Sequence, residues 1–329
     1  VKQLFQVYHP NKRIDTFLSQ KLEIPKNQIT HLIKNSLVFI NGKPCKKGGE
    51  ALIAGDEVSI LEPVLQSSSK PSQLDMNISI IYEDPQVLIL NKPPFLVVHD
   101  APSVKEPTLV DWLKFKGFSL STLSGEERFG IVHRLDKETS GAIVIAKTND
   151  AHTKLSAQLQ NRTMGRYYLA IIDGRLLQKK TIECEMARNP NNRLKMVNLD
   201  RVRQKNLPSR YSKSDFVPLA PSNNLNMELI AAKLSTGRTH QIRVHLESIS
   251  RHIIGDELYG YKGRNDLRIM LHAYLIYFIH PHTGKKMFFK VPVFDDMLEF
   301  LNQNFDKAVL DEVTKEDFIL RCFDTHDFN

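Results

Sequence analysis

Apolar positions in this chain fall into short stretches whose spacing switches between two periods. Ile14, Phe17, Leu18 and Leu22 recur at helical spacing, and Ile29, Leu32 and Ile33 form a second stripe. Leu37, Phe39 and Ile40 then predict a strand, ended by the strong tight-turn signal Asn41-Gly42. Val58 to Leu61 closes a small sheet, so residues 13–60 read as one compact unit. Pro63 to Gln73 holds two prolines, Ser67-Ser68-Ser69 and few apolar residues, the composition of a flexible linker.

A longer unit follows. Ile78, Ile80 and Tyr82 alternate as a strand should, Val87 to Leu90 makes a second, and Leu109 to Leu113 begins a helix. Ile131 and Val132 suit the end of a strand, and Gly141 to Ala146 is the β-branched run of a buried one. Between them sits a polar knot of His133, Arg134, Asp136, Lys137, Glu138, Thr139 and Ser140. By itself such a knot is as well read as a solvated turn as a reactive group on a rigid support. Thr148 or Asn149 caps a helix carrying Leu155 and Leu159 on one face. Arg166 opens a strand in which Tyr168, Ala170 and Ile172 share a face; read alone, Tyr168 is a core residue. Met227 to Leu234 is a further strand, turning at Ser235-Thr236-Gly237 into a helix with a stripe of Ile242, Leu246 and Ile249. A helix N-terminus carrying Arg238 is a natural phosphate site. Beyond Asp296, Leu298, Phe300 and Leu301 predict one packed helix followed by a fraying tail.

Composition changes this picture in one respect. An apolar fraction of 41% over 329 residues supports a large domain plus a small one, and a net charge of +8 is a mild basic excess. That excess is concentrated. Arg188, Arg193, Lys195, Arg201, Arg203, Lys205, Arg210 and Lys213 face only Asp200 in one segment, which carries +7 of the +8. The segment reads as an exposed arm, not a core element, suited to a polyanion. Cys45, Cys184 and Cys322 are scattered without CxxC spacing, so neither a disulfide framework nor a zinc site is expected. His280 and His282 lack a third metal ligand at useful spacing. With no signal-peptide core and no apolar run near the ~20 residues of a membrane span, the expectation is a cytoplasmic monomer without membrane contact.

His133-Arg134-Leu135-Asp136, followed by Lys137, Thr139, Ser140 and Gly141, resembles the catalytic signature of the RluA-type pseudouridine synthases; Glu138 stands where that family usually has Asp. Asn91-Lys92-Pro93 and the Val97-Val98-His99 run match a second motif, with Phe95 and Asp100 departing from its common Gly and Pro. Thr236 to His245 matches a third without a break. Gly255-Asp256, Tyr259-Gly260, Leu271-His272-Ala273, His280-Pro281 and Val291-Pro292-Val293 continue the likeness. Residues 13–60 resemble the small RNA-binding module named for a ribosomal small-subunit protein, with Lys26, Asn27, Lys34, Lys46 and Lys47 at its basic positions. Asn35 replaces the usual Gly after its second helix, which costs little in a left-handed cap.

The resemblance implies an α+β protein: a small RNA-binding module at 1–62, a linker at 63–73, and a mixed, mostly antiparallel-sheet catalytic domain at 74–310. A C-terminal tail occupies 311–329. It implies the isomerisation of uridine to pseudouridine in structured RNA, a reaction needing no redox change or external group and hence no cofactor. Asp136 would be the essential carboxylate, Arg243 the cation that keeps it ionised, and Tyr168 the group that stacks on or hydrogen-bonds the uracil. The target uridine must leave its stack, and Arg134 would fill the space it vacates. Arg238, Arg188, Arg193, Lys195, Arg201 and Arg203, with Lys26 and Lys34 of the module, are the candidate RNA contacts. Large-subunit ribosomal RNA is the expected target. A synthase acting on transfer RNA and a non-catalytic RNA-binding ribosome-assembly factor are the alternatives. Whether Asp136 attacks the sugar, attacks the base or removes a sugar proton stays open at this level.

Overall fold

The first two apolar stripes are buried as helices α1 (Ile14–Leu22) and α2 (Lys26–Lys34), with Ile14, Leu18 and Ile29 fully enclosed. They cover a four-stranded antiparallel sheet of β1 (Lys2–Gln6), β2 (Val38–Ile40), β3 (Lys43–Pro44) and β4 (Glu57–Leu61), ordered β1-β4-β2-β3. Asn41 and Gly42 both take positive φ, 50° and 77°, as a two-residue hairpin turn requires. The Asn41 side chain fixes that turn by accepting from the Glu57 N–H and donating to Asp56. β1, which the apolar pattern does not announce, gains its place by pairing with β4 from Lys2↔Leu61 to Gln6↔Glu57.

The computed structural model describes the chain except residues 1, 10–12, 23–25, 35, 62–75, 101–103, 126–127, 203–205, 224–225, 265 and 324–329. The proposed linker at 63–73, Asn35, Arg203 and Lys205 therefore lie outside the described residues, as does the end of the C-terminal tail.

The second unit is built on one ten-stranded sheet. Its strands are β5 (Ser79–Glu83), β6 (Val87–Lys92), β7 (Ser140–Ala146), β8 (Gly165–Asp173), β9 (Lys180–Arg188), β10 (Met196–Asn198), β11 (Ser209–Pro221), β12 (Met227–Leu234), β13 (Leu271–Ile279) and β14 (Lys286–Lys290). The order is β10-β9-β11-β12-β8-β13-β7-β6-β5, with β14 also on β13. Every pairing is antiparallel except β13 with β7. β6 and β7 are buried at every position, which is why they read as continuous apolar runs and not as alternation. Helices α3 (Leu109–Phe115) and α4 (Asn149–Asn161) begin at the caps Thr108 and Thr148, and α5 (Gln241–Ser248) follows β12. No helix among the described residues is long and apolar enough to cross a membrane.

Four sequence expectations are corrected. Ile131 and Val132 form no strand; Ile131 makes an isolated bridge to Ile145, because Gly130 at φ 66° turns the chain away from the sheet. The basic segment is not a free arm: its ends belong to β9 and β11 and its middle to β10, with Ser212 and Ser214 buried. Small polar residues facing inward hide this from a hydropathy reading. Arg238 is not on the helix terminus, since α5 starts at Gln241 after a left-handed His240 with φ 57°. Beyond Asp295 there are three helices, α6 (Asp295–Asn304), α7 (Lys307–Val313) and α8 (Glu316–Cys322). Leu310, Val313, Ile319, Leu320 and Phe323 join the main core, so residues 311–323 pack on the domain. Their apolar positions are split among three short helices and make no single stripe.

The parallel β7–β13 contact depends on Gly141. Its φ is 114°, and a Cβ would lie 2.3 Å from the Ala273 carbonyl oxygen. Strain and overlap act together there, so Gly141→Ala is expected to destabilise the domain by at least about 3 kcal/mol. Urea unfolding followed by tryptophan fluorescence measures this, through the buried Trp112.

Candidate active site

Asp136 stands in a loop that is pinned on both sides. At its start, the buried His133 ring accepts the Val144 N–H at Nε2, 3.0 Å away, tying the loop to β7. Burial, reinforced by Arg166, lowers His133 to about 3, so the ring is a neutral anchor and not a base. At its end, the fully buried Lys92 ammonium donates to the carbonyls of Pro93, Leu96 and Lys137 at 2.8, 2.9 and 3.2 Å. Burial lowers Lys92 to about 7, against the pull of the Asp136 carboxylate. The residues on either side of Asp136 therefore have little freedom.

The carboxylate faces α5. Asp136 Oδ2 lies 3.5 Å from Arg243 Nη1 and 3.9 Å from His240 Nε2. At 3.5 Å the first contact is an ion contact at the limit of hydrogen bonding, which leaves Asp136 free to engage another group. Arg243 is held from behind: Nε and Nη2 donate to Asp256 at 2.7 and 2.8 Å, a bidentate fork. Its guanidinium also lies 4.8 Å from the centre of the Tyr259 ring. Burial would push Arg243 down, but the bond to Asp256 and the charges of Asp256 and Asp136 more than offset it, so it stays a cation. Tyr259 is fixed in turn by the Met196 N–H and by His240 Nδ1, each 2.8 Å from its hydroxyl. Burial lowers His240. A neutral His240 that accepts the Tyr259 hydroxyl at Nδ1 carries its proton on Nε2, towards Asp136.

Tyr168, on β8, lines the same pocket as Asp136, Arg243 and Leu271. Burial raises its phenol, which stays protonated and able to donate. The pocket opens into a larger cleft bordered by Arg134, Lys137, Arg188 and Arg193, and Arg134 itself is exposed. The structure thus gathers Asp136, Tyr168, Arg243, Arg134, Arg188 and Arg193. Lys195 sits behind them over the Tyr259 ring, at 5.5 Å from its centre. Arg201 lies beside Glu247 of α5 and does not border the cleft. Arg238 lines the pocket from the loop before α5, its Nε donating to the Tyr211 carbonyl. Lys26 and Lys34 are exposed on α2, in the other unit.

The sequence pattern gave no role to Asp256, Tyr259, Lys92 or Arg166, although the first three stood inside quoted motifs. Their roles are relational, arising from contacts that no spacing encodes. Among the described residues no three His, Cys, Asp or Glu side chains converge as a metal site, and His280 pairs with Asp84 at 2.7 Å.

Residues 86–248 match the RNA pseudouridylate synthase family, and residues 12–58 match the S4 domain. An uncharacterised RNA pseudouridine synthase of Helicobacter pylori is 54% identical over 98% of this chain and 99% of its own length. The ribosomal large subunit pseudouridine synthase D of Neisseria meningitidis is 34% identical over 88% of this chain and 78% of its own. Among solved structures, human RNA pseudouridylate synthase domain containing 1 superposes with a TM-score of 0.55 at 25% identity, covering 68% of this chain and 86% of that one.

Two outcomes are expected of the pocket. Arg243→Met leaves Asp256 buried without a cation and should cost about 3–5 kcal/mol in urea unfolding, with Asp256→Asn restoring part of it in the double variant. Burial also lowers His99, His152, His245 and His272 to about 4 and His133 to about 3. These folded values lie below the unfolded ~6.5, so protons bind the unfolded chain first. Stability should be intact above pH 6.5 and fall steadily as pH drops towards 4, which urea midpoints across that range will show.

Proposed function

Because the chain belongs to the RNA pseudouridylate synthase family, we propose that it isomerises specific uridines of large-subunit ribosomal RNA in the pocket around Asp136. The observation that carries this reading is the carboxylate itself, held between the Arg243 guanidinium and the Tyr168 wall at the mouth of a cleft bordered by Arg134, Arg188 and Arg193. Support for the ribosomal target comes from the Neisseria relative's name and from the S4 match at residues 12–58.

The chemistry asks for what these residues offer. The C1′–N1 bond of uridine breaks, the uracil turns, and a C1′–C5 bond forms; C5 gives up a proton and N1 gains one. No atom is added. Asp136 supplies the carboxylate beside the sugar and base, with the Arg243 guanidinium 3.5 Å from it. The protonated phenol of Tyr168 donates to the uracil or relays the proton. Access requires the nucleotide to be flipped, and the exposed Arg134 at the pocket mouth is placed to take the vacated space.

Asp136→Asn keeps the shape of the side chain and removes its charge. It should lower pseudouridine formation by at least about a thousandfold, some 4 kcal/mol of barrier, while RNA affinity changes little. Tritium release from RNA carrying 5-tritiated uridine reads the activity, and pseudouridine mapping in a deletion strain names the target. Activity within tenfold of wild type would remove Asp136 from the chemistry. Sites lost from transfer RNA alone would move the substrate there.

A further inference from the structure

Beside the Asp136 pocket lies a second cleft of about 840 Å³, between α4 and the turn at 235–238. Arg128, Arg134, Arg162, Arg166, Arg210 and Arg238 line it, and among the described residues no acidic one does. The larger cleft on the other side differs, bordered by Glu138, Asp256, Glu257 and Asp266 besides Asp136. The three histidines of the arginine cleft, His99, His133 and His152, are held neutral by burial, so among the described residues its charge comes from the arginines. Burial and the nearby Arg210 and Arg162 lower Arg238, and Glu185 offsets them only in part.

Arg166 sets this cleft apart from a merely basic surface. It is only 8% exposed, and its Nε, shut off from solvent, meets no acceptor. No carboxylate among the described residues pairs with it. Burying a guanidinium without an anion is costly, and a fold keeps such a group when something else supplies the anion. Arg166 precedes Tyr168 by two residues on β8, which puts both on one strand face, and it lines the Asp136 pocket as well as the arginine cleft. Gly237 lies against it: a Cβ there would come within 2.7 Å of Arg166 Nη1.

We propose that the arginine cleft binds the phosphodiester backbone next to the flipped nucleotide, with Arg166 forked on one phosphate and Arg162, Arg210 and Arg238 on its neighbours. This rests on the uridine-isomerising reading, because a nucleotide seated at Asp136 leads its own backbone past Arg166. A planar guanidinium in a dry site is the side chain best fitted to a phosphate. The adjoining Gly237 leaves the room that the fork needs.

The test uses the full chain and a ribosomal RNA stem-loop that the wild type modifies, with affinity measured at several salt concentrations in the Asp136→Asn background. Arg166→Met should weaken binding about ten- to a hundredfold and flatten the slope of log affinity against log salt by about 0.7 to 0.9. Without RNA, its melting temperature should be no lower than that of the parent, since an unpaired buried charge has been removed. Arg166→Lys should recover the slope but only part of the affinity. Gly237→Ala, which leaves the charge unchanged and displaces the guanidinium, should weaken binding too. Wild-type affinity and slope for Arg166→Met would overturn the phosphate site, as would a lowered melting temperature with the slope intact, the sign of a purely structural residue. Wild-type protein that forms no pseudouridine overturns the underlying reading, a failure seen before any variant is compared.

Discussion

The buried fork between Arg243 and Asp256 is the interaction on which the pocket depends. Each ion loses several kcal/mol of hydration on burial, and the pair is tolerable only because two short, parallel hydrogen bonds and the Tyr259 ring replace the water. With two nitrogens committed to Asp256, one face of the guanidinium is left for Asp136, at a distance that holds charge without closing a tight bond. A lysine at this position has no such division of labour, having one charge centre and no plane. Tyr259 extends the same constraint outward through Met196 on β10 and His240 at the start of α5. The cation beside Asp136 is thus fixed by residues from three separate parts of the chain.

The opposite wall is rigid for a different reason. β7, β13 and β8 lie side by side in the middle of the sheet, and their buried faces leave no freedom for the segments that enter them. Gly141 lets β7 approach β13 closely enough for a parallel contact just after the Asp136 loop. His133 and Lys92 then hold the two ends of that loop to β7 and to the end of β6, using a neutral ring and a buried ammonium. Packing fixes the strands, and hydrogen bonds from buried polar groups fix the loop. This division explains why so many histidines are deeply buried and neutral in the domain.

Charge is segregated around this rigid centre. The cleft holding Asp136 mixes acids with Arg188 and Arg193, whereas the neighbouring cleft is lined by arginines with no acid among the described residues. A polyanion that inserts one nucleotide beside Asp136 meets both environments. The surface on α2 bearing Lys26 and Lys34 belongs to the smaller unit.

Local patterns in the sequence already determined a good deal. Helical spacing marked α1, α2 and α4, and apolar runs or alternation marked β7, β8 and β12, because burial of one face or of both is written into consecutive positions. The motifs around Asp136, Lys92 and Arg243 named the family and its chemistry. Other features were decided only in three dimensions. The strand β1 exists because β4 offers an edge, and the basic segment became β9, β10 and β11 because small buried serines take the place of apolar residues. The C-terminal helices share the main core through residues that no single stripe collects. The partnership of Arg243 with Asp256 spans 13 residues. The isolation of Arg166 is likewise a fact about what is missing nearby. Propensity and periodicity act between near neighbours along the chain, whereas charge pairing, desolvation and the lack of a counter-ion depend on distances that only the folded chain sets.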